Sequence, residues 1–165
     1  MLKKLLNTLI ITSTLFTVSV TANSDKKIMD FNKETVTELR KLKVYKNPAW
    51  ATKVEFSNKK SAYFSSPKSM FEFYFTPFKW KAFDAKTVDD LENIYVTDFK
   101  THKIIDAKKA YYVYGSRKIS PAGDDLPSFE TKEDALNFKN NENGKRIFRF
   151  SEVSNGLIKL LNGRM

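Results

Sequence analysis

Residues 51–75 read ATKVEFSNKKSAYFSSPKSMFEFYF, and the fold is decided within them. Val54 and Phe56, then Ala62 and Phe64, alternate with other residues on either side of Ser57-Asn58-Lys59-Lys60, the period-two pattern and polar turn of a β-hairpin. At Ser66-Pro67 the period changes. The Ser66 hydroxyl can accept from a free amide of a first helical turn, and a proline in that turn gives up no N–H the helix needs. Met70, Phe71, Tyr74 and Phe75 follow on one helical face, Phe73 adds a second side, and Thr76-Pro77 ends the run. A helix apolar on two sides is expected to be covered on both, as a core element rather than an exposed aromatic platform for a ligand.

Downstream, a charged connector over 79–90 gives way to a strand over 93–99, a turn at 100–102, and extended segments at 104–105 and 110–114 closed by Gly115-Ser116. In SPAGDDLPSFETKEDALNF (120–138), a Pro-Ala-Gly turn and Asp124-Asp125 precede Thr131, a helix cap followed by Glu133 and Asp134 at the positive end of the dipole. Asn140 to Gly144 stops that helix. KRIFRFSEV (145–153) sets Phe148 and Phe150 against Ile147 and Arg149 as a half-buried strand, and GLIKLLNG (156–163) reads as a short terminal helix. Hairpin, capped helix and strand thus occur at 51–99 and again at 103–153. The expected fold class is α+β, two similar β-β-α-β halves forming one compact domain with a mixed or antiparallel sheet.

Upstream, Lys3-Lys4, an apolar stretch from Leu5 to Val18 and the small residues before position 23 read as a secretory signal peptide over 1–22, cut after Ala22. The stretch is broken by Asn7, Thr8, Thr12 and Thr14, which makes it a poor spanning helix. A periplasmic or secreted protein is expected, with a flexible arm over 23–35 and the folded domain over 36–165. The chain carries 29 Lys and Arg against 19 Asp and Glu. For an exported protein that basic balance points away from nucleic acid and towards a protein partner, at most peripheral contact with an anionic membrane, or simply a solvated surface.

Chemistry is sparsely provided. With no cysteine there is no disulfide, thiolate nucleophile or lipobox, and the five glycines are too scattered for a phosphate-cradling loop. His102 stands alone in a turn. Asp98 and Asp106 bracket that turn and could form an acid/base pair, although carboxylates at strand ends more often bond turn amides or neighbouring lysines. Asp124-Asp125 lack the ligand spacing of a calcium loop. An enzyme built on Asp98, Asp106 or His102 is the weakest reading.

Pro48-x-Trp50-x-x-Lys53, Phe64-x-Ser66-x-Lys68-x-Met70, Val96-Thr97-Asp98, Ile105-Asp106-Ala107, Val113-x-Gly115-Ser116 and Phe129 with its following helix stand in an order and spacing that resembles the NosL family over residues 47–153. The resemblance implies an accessory protein of nitrous oxide reductase and a copper(I) chaperone. It also implies a Cys-Gly-Met segment that falls here on Arg40, Lys41 and Leu42, and a Pro-Met-Gly turn that falls on Pro121, Ala122 and Gly123. Copper(I) prefers thiolate or thioether sulfur. Neither inherited position carries sulfur, so the copper site is expected to be degenerate. Met29, Met70 and His102 are the residual candidates for a rebuilt one. The leading expectation is a non-enzymatic binding or assembly factor with no confident cofactor. The alternative is a working copper chaperone that serves a periplasmic reductase or metal-assembly component.

Overall fold

The computed structural model describes residues 29–163. The expected signal peptide, its cut after Ala22 and the first part of the arm lie outside the described residues.

The alternating stretch folds as a hairpin. β1 (Thr52–Phe56) and β2 (Ser61–Phe64) pair antiparallel with Val54 opposite Ala62. Val54, Phe56, Ala62 and Phe64 point into the core, while Lys53 and Tyr63 share the outer face. α1 (Pro67–Tyr74) starts at Ser66, whose Oγ accepts from the Ser69 amide at 3.3 Å. β3 (Leu91–Thr97) returns along the other side of β1, and β4 (Ile104–Asp106) folds back on β3, so the first sheet has the order β2-β1-β3-β4.

β5 (Tyr111–Tyr114) opens a second sheet. The short hairpin of β6 (Ile119–Ser120) and β7 (Gly123–Asp124) follows, then β8 (Ser128–Phe129), α2 (Lys132–Asn141), β9 (Arg146–Arg149) and α3 (Asn155–Leu161). The order of the second sheet is β8-β5-β9. The fold is therefore α+β, and of the expected sheet types the antiparallel one is found: every ladder among the described residues is antiparallel, but the two larger sheets are separate, so the halves do not share one sheet. They are stitched at one end by the Phe99 amide donating to the Ser128 carbonyl at 2.8 Å.

The segments at 104–105 and 110–114 belong to different sheets, for a local reason. Asp98 Oδ1 accepts from the Lys100 and Thr101 amides, and the Asp98 amide donates to the Lys103 carbonyl at 2.7 Å. The resulting tight turn, with His102 at φ +59°, forces β4 onto β3 before the chain crosses to β5.

The core lies between the sheets, and α1 fills it. Phe73 packs on Phe64 and Phe56 with ring centroids 5.1 and 5.8 Å away, whereas Phe71 meets Tyr112 at 5.2 Å and Phe150 at 4.9 Å. The two-sided apolar helix is thus covered on both sides. Burying each such ring is worth roughly 1.5–3 kcal/mol. The outer face of the first sheet is covered too: Met29 packs with Val44 and Ala51 against Phe31, Tyr63, Tyr95 and Ile104. Lys53 sits beneath this layer, bonded to Asp30 at 3.0 Å and Glu55 at 2.8 Å.

Candidate functional site

The two segments singled out by the resemblance come together at the start of α1. The first is a short turn closed by a bridge between Val36 and Lys43, with the Thr37 amide donating to the Leu42 carbonyl at 2.8 Å. Lys41 adopts φ +51° there, a left-handed conformation that glycine takes without strain and other residues at a cost. Arg40 reaches α1 and donates from Nη1 to Ser69 Oγ at 2.7 Å, with Glu72 3.7 Å away. Leu42 remains partly exposed.

The second segment is the tip of the β6–β7 hairpin. Ser120 faces Gly123 in register, leaving Pro121-Ala122 as a two-residue loop, and Gly123 takes φ +89°. Ala122 contributes backbone groups alone: its carbonyl accepts from Lys68 Nζ at 2.6 Å and its amide donates to Ser120 Oγ at 2.9 Å. Lys68 is 2 % exposed, and the same ammonium donates to the Leu161 carbonyl at 3.1 Å, tying the hairpin tip and the end of α3 to the first turn of α1.

A carboxylate completes the arrangement. Asp125, 3 % exposed, accepts at Oδ1 from the Lys68 and Leu126 amides, both at 2.8 Å, and at Oδ2 from Ser120 Oγ at 2.7 Å. It lies where the free amides of α1 point, a position favoured for negative charge. Burial pushes the Asp125 carboxyl up, against the pull of the hydrogen bonds from Ser66, Ser120 and the two amides. Burial likewise pulls Lys68 down, opposed chiefly by the charge of Asp125.

Between the two segments lies a cavity of about 10 Å³, with Leu42, Val44, Ala51, Phe64 and Pro121 among its walls; Thr37, Lys43, Asn47 and Ser65 complete them. None of these residues carries sulfur or imidazole. Such a void is at the lower limit for a single water, which needs about 10–15 Å³. Beside it, Arg40 is bonded to Ser69, Asp125 to Ser120 and the Lys68 amide, and the Lys68 ammonium to the Ala122 carbonyl, so the arrangement braces three elements and offers no soft donor.

The other candidates are dispersed. Met29 belongs to the outer layer, Met70 is fully buried within the core on α1, and His102 is exposed in its turn. Among the described residues no group of three or more His, Cys, Asp or Glu is placed to hold a metal ion. Asp98 is fully buried; besides the turn amides it accepts from Thr101 Oγ1 at 2.9 Å and, at Oδ2, from the Glu130 amide at 2.7 Å. Asp106 accepts from the Lys108 amide at 2.8 Å, with Lys109 3.7 Å away. Of the framework positions, Pro48 opens a single 3₁₀ turn that seats Trp50 edge-on against Phe99 at 4.9 Å. Gly115, at φ +75°, leaves room for the stem of Lys145.

Lys68 and Asp125 were not legible as partners, being 57 residues apart. One signal existed: the first turn of α1 holds a lysine and no acid, the reverse of the dipole preference, so its amides call for an anion from elsewhere in the chain.

The sequence profile of the NosL family matches residues 28–158. The chain is also similar to the crystal structure of the copper chaperone NosL from Shewanella denitrificans, with 22% identity, a TM-score of 0.67, and coverage of 79% of this chain and 98% of that one. That is a likeness of fold. No curated protein matches the chain.

Proposed function

Because the chain belongs to the NosL family, we propose that it is an exported, non-enzymatic accessory protein that keeps the family scaffold while its copper site is degenerate, and that it acts by binding a periplasmic protein. The observation that carries this reading is the small cavity between Leu42 and Pro121, whose walls hold no thioether, thiolate or imidazole. Copper(I) is held by polarizable donors, and the charged residue in the cavity wall, Lys43, is a cation whose ammonium is turned to Glu34 at 2.7 Å. The left-handed backbone at Lys41 and Gly123, the two positions where the resemblance implies glycine, supports descent from a metal-carrying frame whose side chains have changed.

The test is a titration of copper(I) against a competing chelator. The protein is expected to leave the chelator complex intact, while the triple variant Arg40→Cys, Leu42→Met, Ala122→Met is expected to withdraw about one equivalent, since it returns sulfur to a preserved geometry. Stoichiometric withdrawal by the unaltered protein would overturn the reading. The same backbone also favours a second reading, copper delivery with sulfur supplied by the acceptor. In that case the unaltered protein raises copper loading of a periplasmic acceptor without retaining metal alone.

A further inference from the structure

A different pocket, of about 290 Å³, lies where the end of β5, β7 and the end of α3 meet. Its walls carry both signs of charge. Asp124 lines it from β7, and Lys145 lines it from the residue before β9. Neither forms an ion pair with the other or with any other described residue. Opposite charges on one pocket that do not close on each other remain available to a ligand carrying both.

The cation is placed by the backbone. The Lys145 amide donates to the Tyr114 carbonyl at 2.8 Å, and its side-chain stem crosses Gly115 so closely that a Cβ there would come within 2.9 Å of Cγ and Cδ. Gly115 is therefore the residue that lets Lys145 lie along this wall. On the same stretch, Ser116 Oγ is buried without a hydrogen-bond partner in the protein, a state a native structure rarely leaves uncompensated. Leu160 and Leu161 supply an apolar side, with Tyr114 at the rim.

The charge pattern selects the ligand class. A plain anion would meet the Asp124 carboxylate, with Asp125 beside it, and a plain cation would meet Lys145. We infer that this pocket binds a small zwitterion with an aliphatic side chain, of the α-amino-acid class: its ammonium on Asp124, its carboxylate on Lys145 and Ser116 Oγ, its side chain against Leu160 and Leu161. The site shares no wall residue with the cavity at Leu42 and does not rest on the proposed loss of copper binding.

Calorimetric titration of the purified protein with L-leucine tests this, with 4-methylpentanoate and 3-methylbutylamine as matched probes lacking the ammonium or the carboxylate. L-Leucine is expected to bind and each one-charge analogue to bind at least about tenfold more weakly, a difference of about 1.4 kcal/mol. Asp124→Asn and Lys145→Met are each expected to weaken leucine by a similar factor, and Ser116→Ala by less. All three positions lie outside the fully buried core, and unchanged thermal unfolding establishes that the variants fold. Absence of leucine binding, equal affinity for the one-charge analogues, or indifference to both charge variants would each overturn the assignment.

Discussion

Replacing Asp125 with alanine is expected to loosen the join between the β6–β7 hairpin and α1. The change removes the acceptor of two buried amides, those of Lys68 and Leu126, each held at 2.8 Å. Ser120 Oγ keeps a partner in the Gly123 carbonyl at 3.1 Å, and Ser66 Oγ, which also bonds Asp125, keeps Ser69 Oγ at 3.1 Å, so only the two amides are orphaned. Each unsatisfied buried donor costs about 1–3 kcal/mol. The carboxylate's own desolvation penalty is relieved, which brings the expected loss towards the lower half of the sum, about 3 kcal/mol. With a urea m-value of about 2 kcal/mol/M, the unfolding midpoint falls by about 1.5 M. Asp125→Asn keeps an amide oxygen in place and is expected to cost about 1 kcal/mol. Its effect also depends on pH with a definite sign. The folded carboxyl titrates above the ordinary value of 3.8, so between that value and its folded pKa the folded state holds more protons than the unfolded chain. This group's contribution therefore improves as pH falls through the folded pKa, and the asparagine variant loses that component. A midpoint shift for the alanine variant below about 0.3 M, or equal harm from asparagine, would refute the bracing role assigned to the carboxylate.

Two further outcomes are expected. The Lys53 ammonium holds Asp30 and Glu55 below the usual carboxyl range; burial opposes this at Asp30 but is outweighed, and the Lys53 hydrogen bond leads at Glu55. The folded state thus binds fewer protons than the unfolded chain as those groups titrate, and the stability they supply at neutral pH is lost as pH falls through their folded pKa values. An Asp30→Asn, Glu55→Gln double variant should show a flatter decline in urea midpoint between about pH 5 and 2, and parallel curves would contradict the pairing. Lys41→Gly relieves a left-handed residue at the loss of an exposed ion pair with Glu38, so thermal unfolding should find stability unchanged or raised by up to about 1 kcal/mol.

Much of the chain's organisation was readable from local patterns because the forces concerned act locally. Alternation over Val54–Phe64 places one set of side chains on one face, whatever the sheet does next. Ser66 and Thr131 cap helices within three residues of themselves, at Ser69 and Asp134. Extended segments carry no mark of their partner, and for that reason 104–105 and 110–114 could be read as belonging together. Their separation depends on Asp98, which closes one turn with nearby amides and reaches the Glu130 amide 32 residues away.

The amino-acid sequence alone determined the α+β class, the hairpin and helix positions, the family resemblance and the absence of sulfur at the two segments that resemblance singles out, because each is a matter of residue type and short-range spacing. Only the tertiary structure decided that those segments meet at one small cavity, that Lys68 and Asp125, 57 residues apart, tie the meeting point together, and that Asp124 and Lys145 face a common pocket without an ion pair among the described residues. These are contacts between residues far apart in sequence. Burial and geometry, which exist only once the chain has folded, determine whether such charges pair, brace the fold or stay open to a ligand.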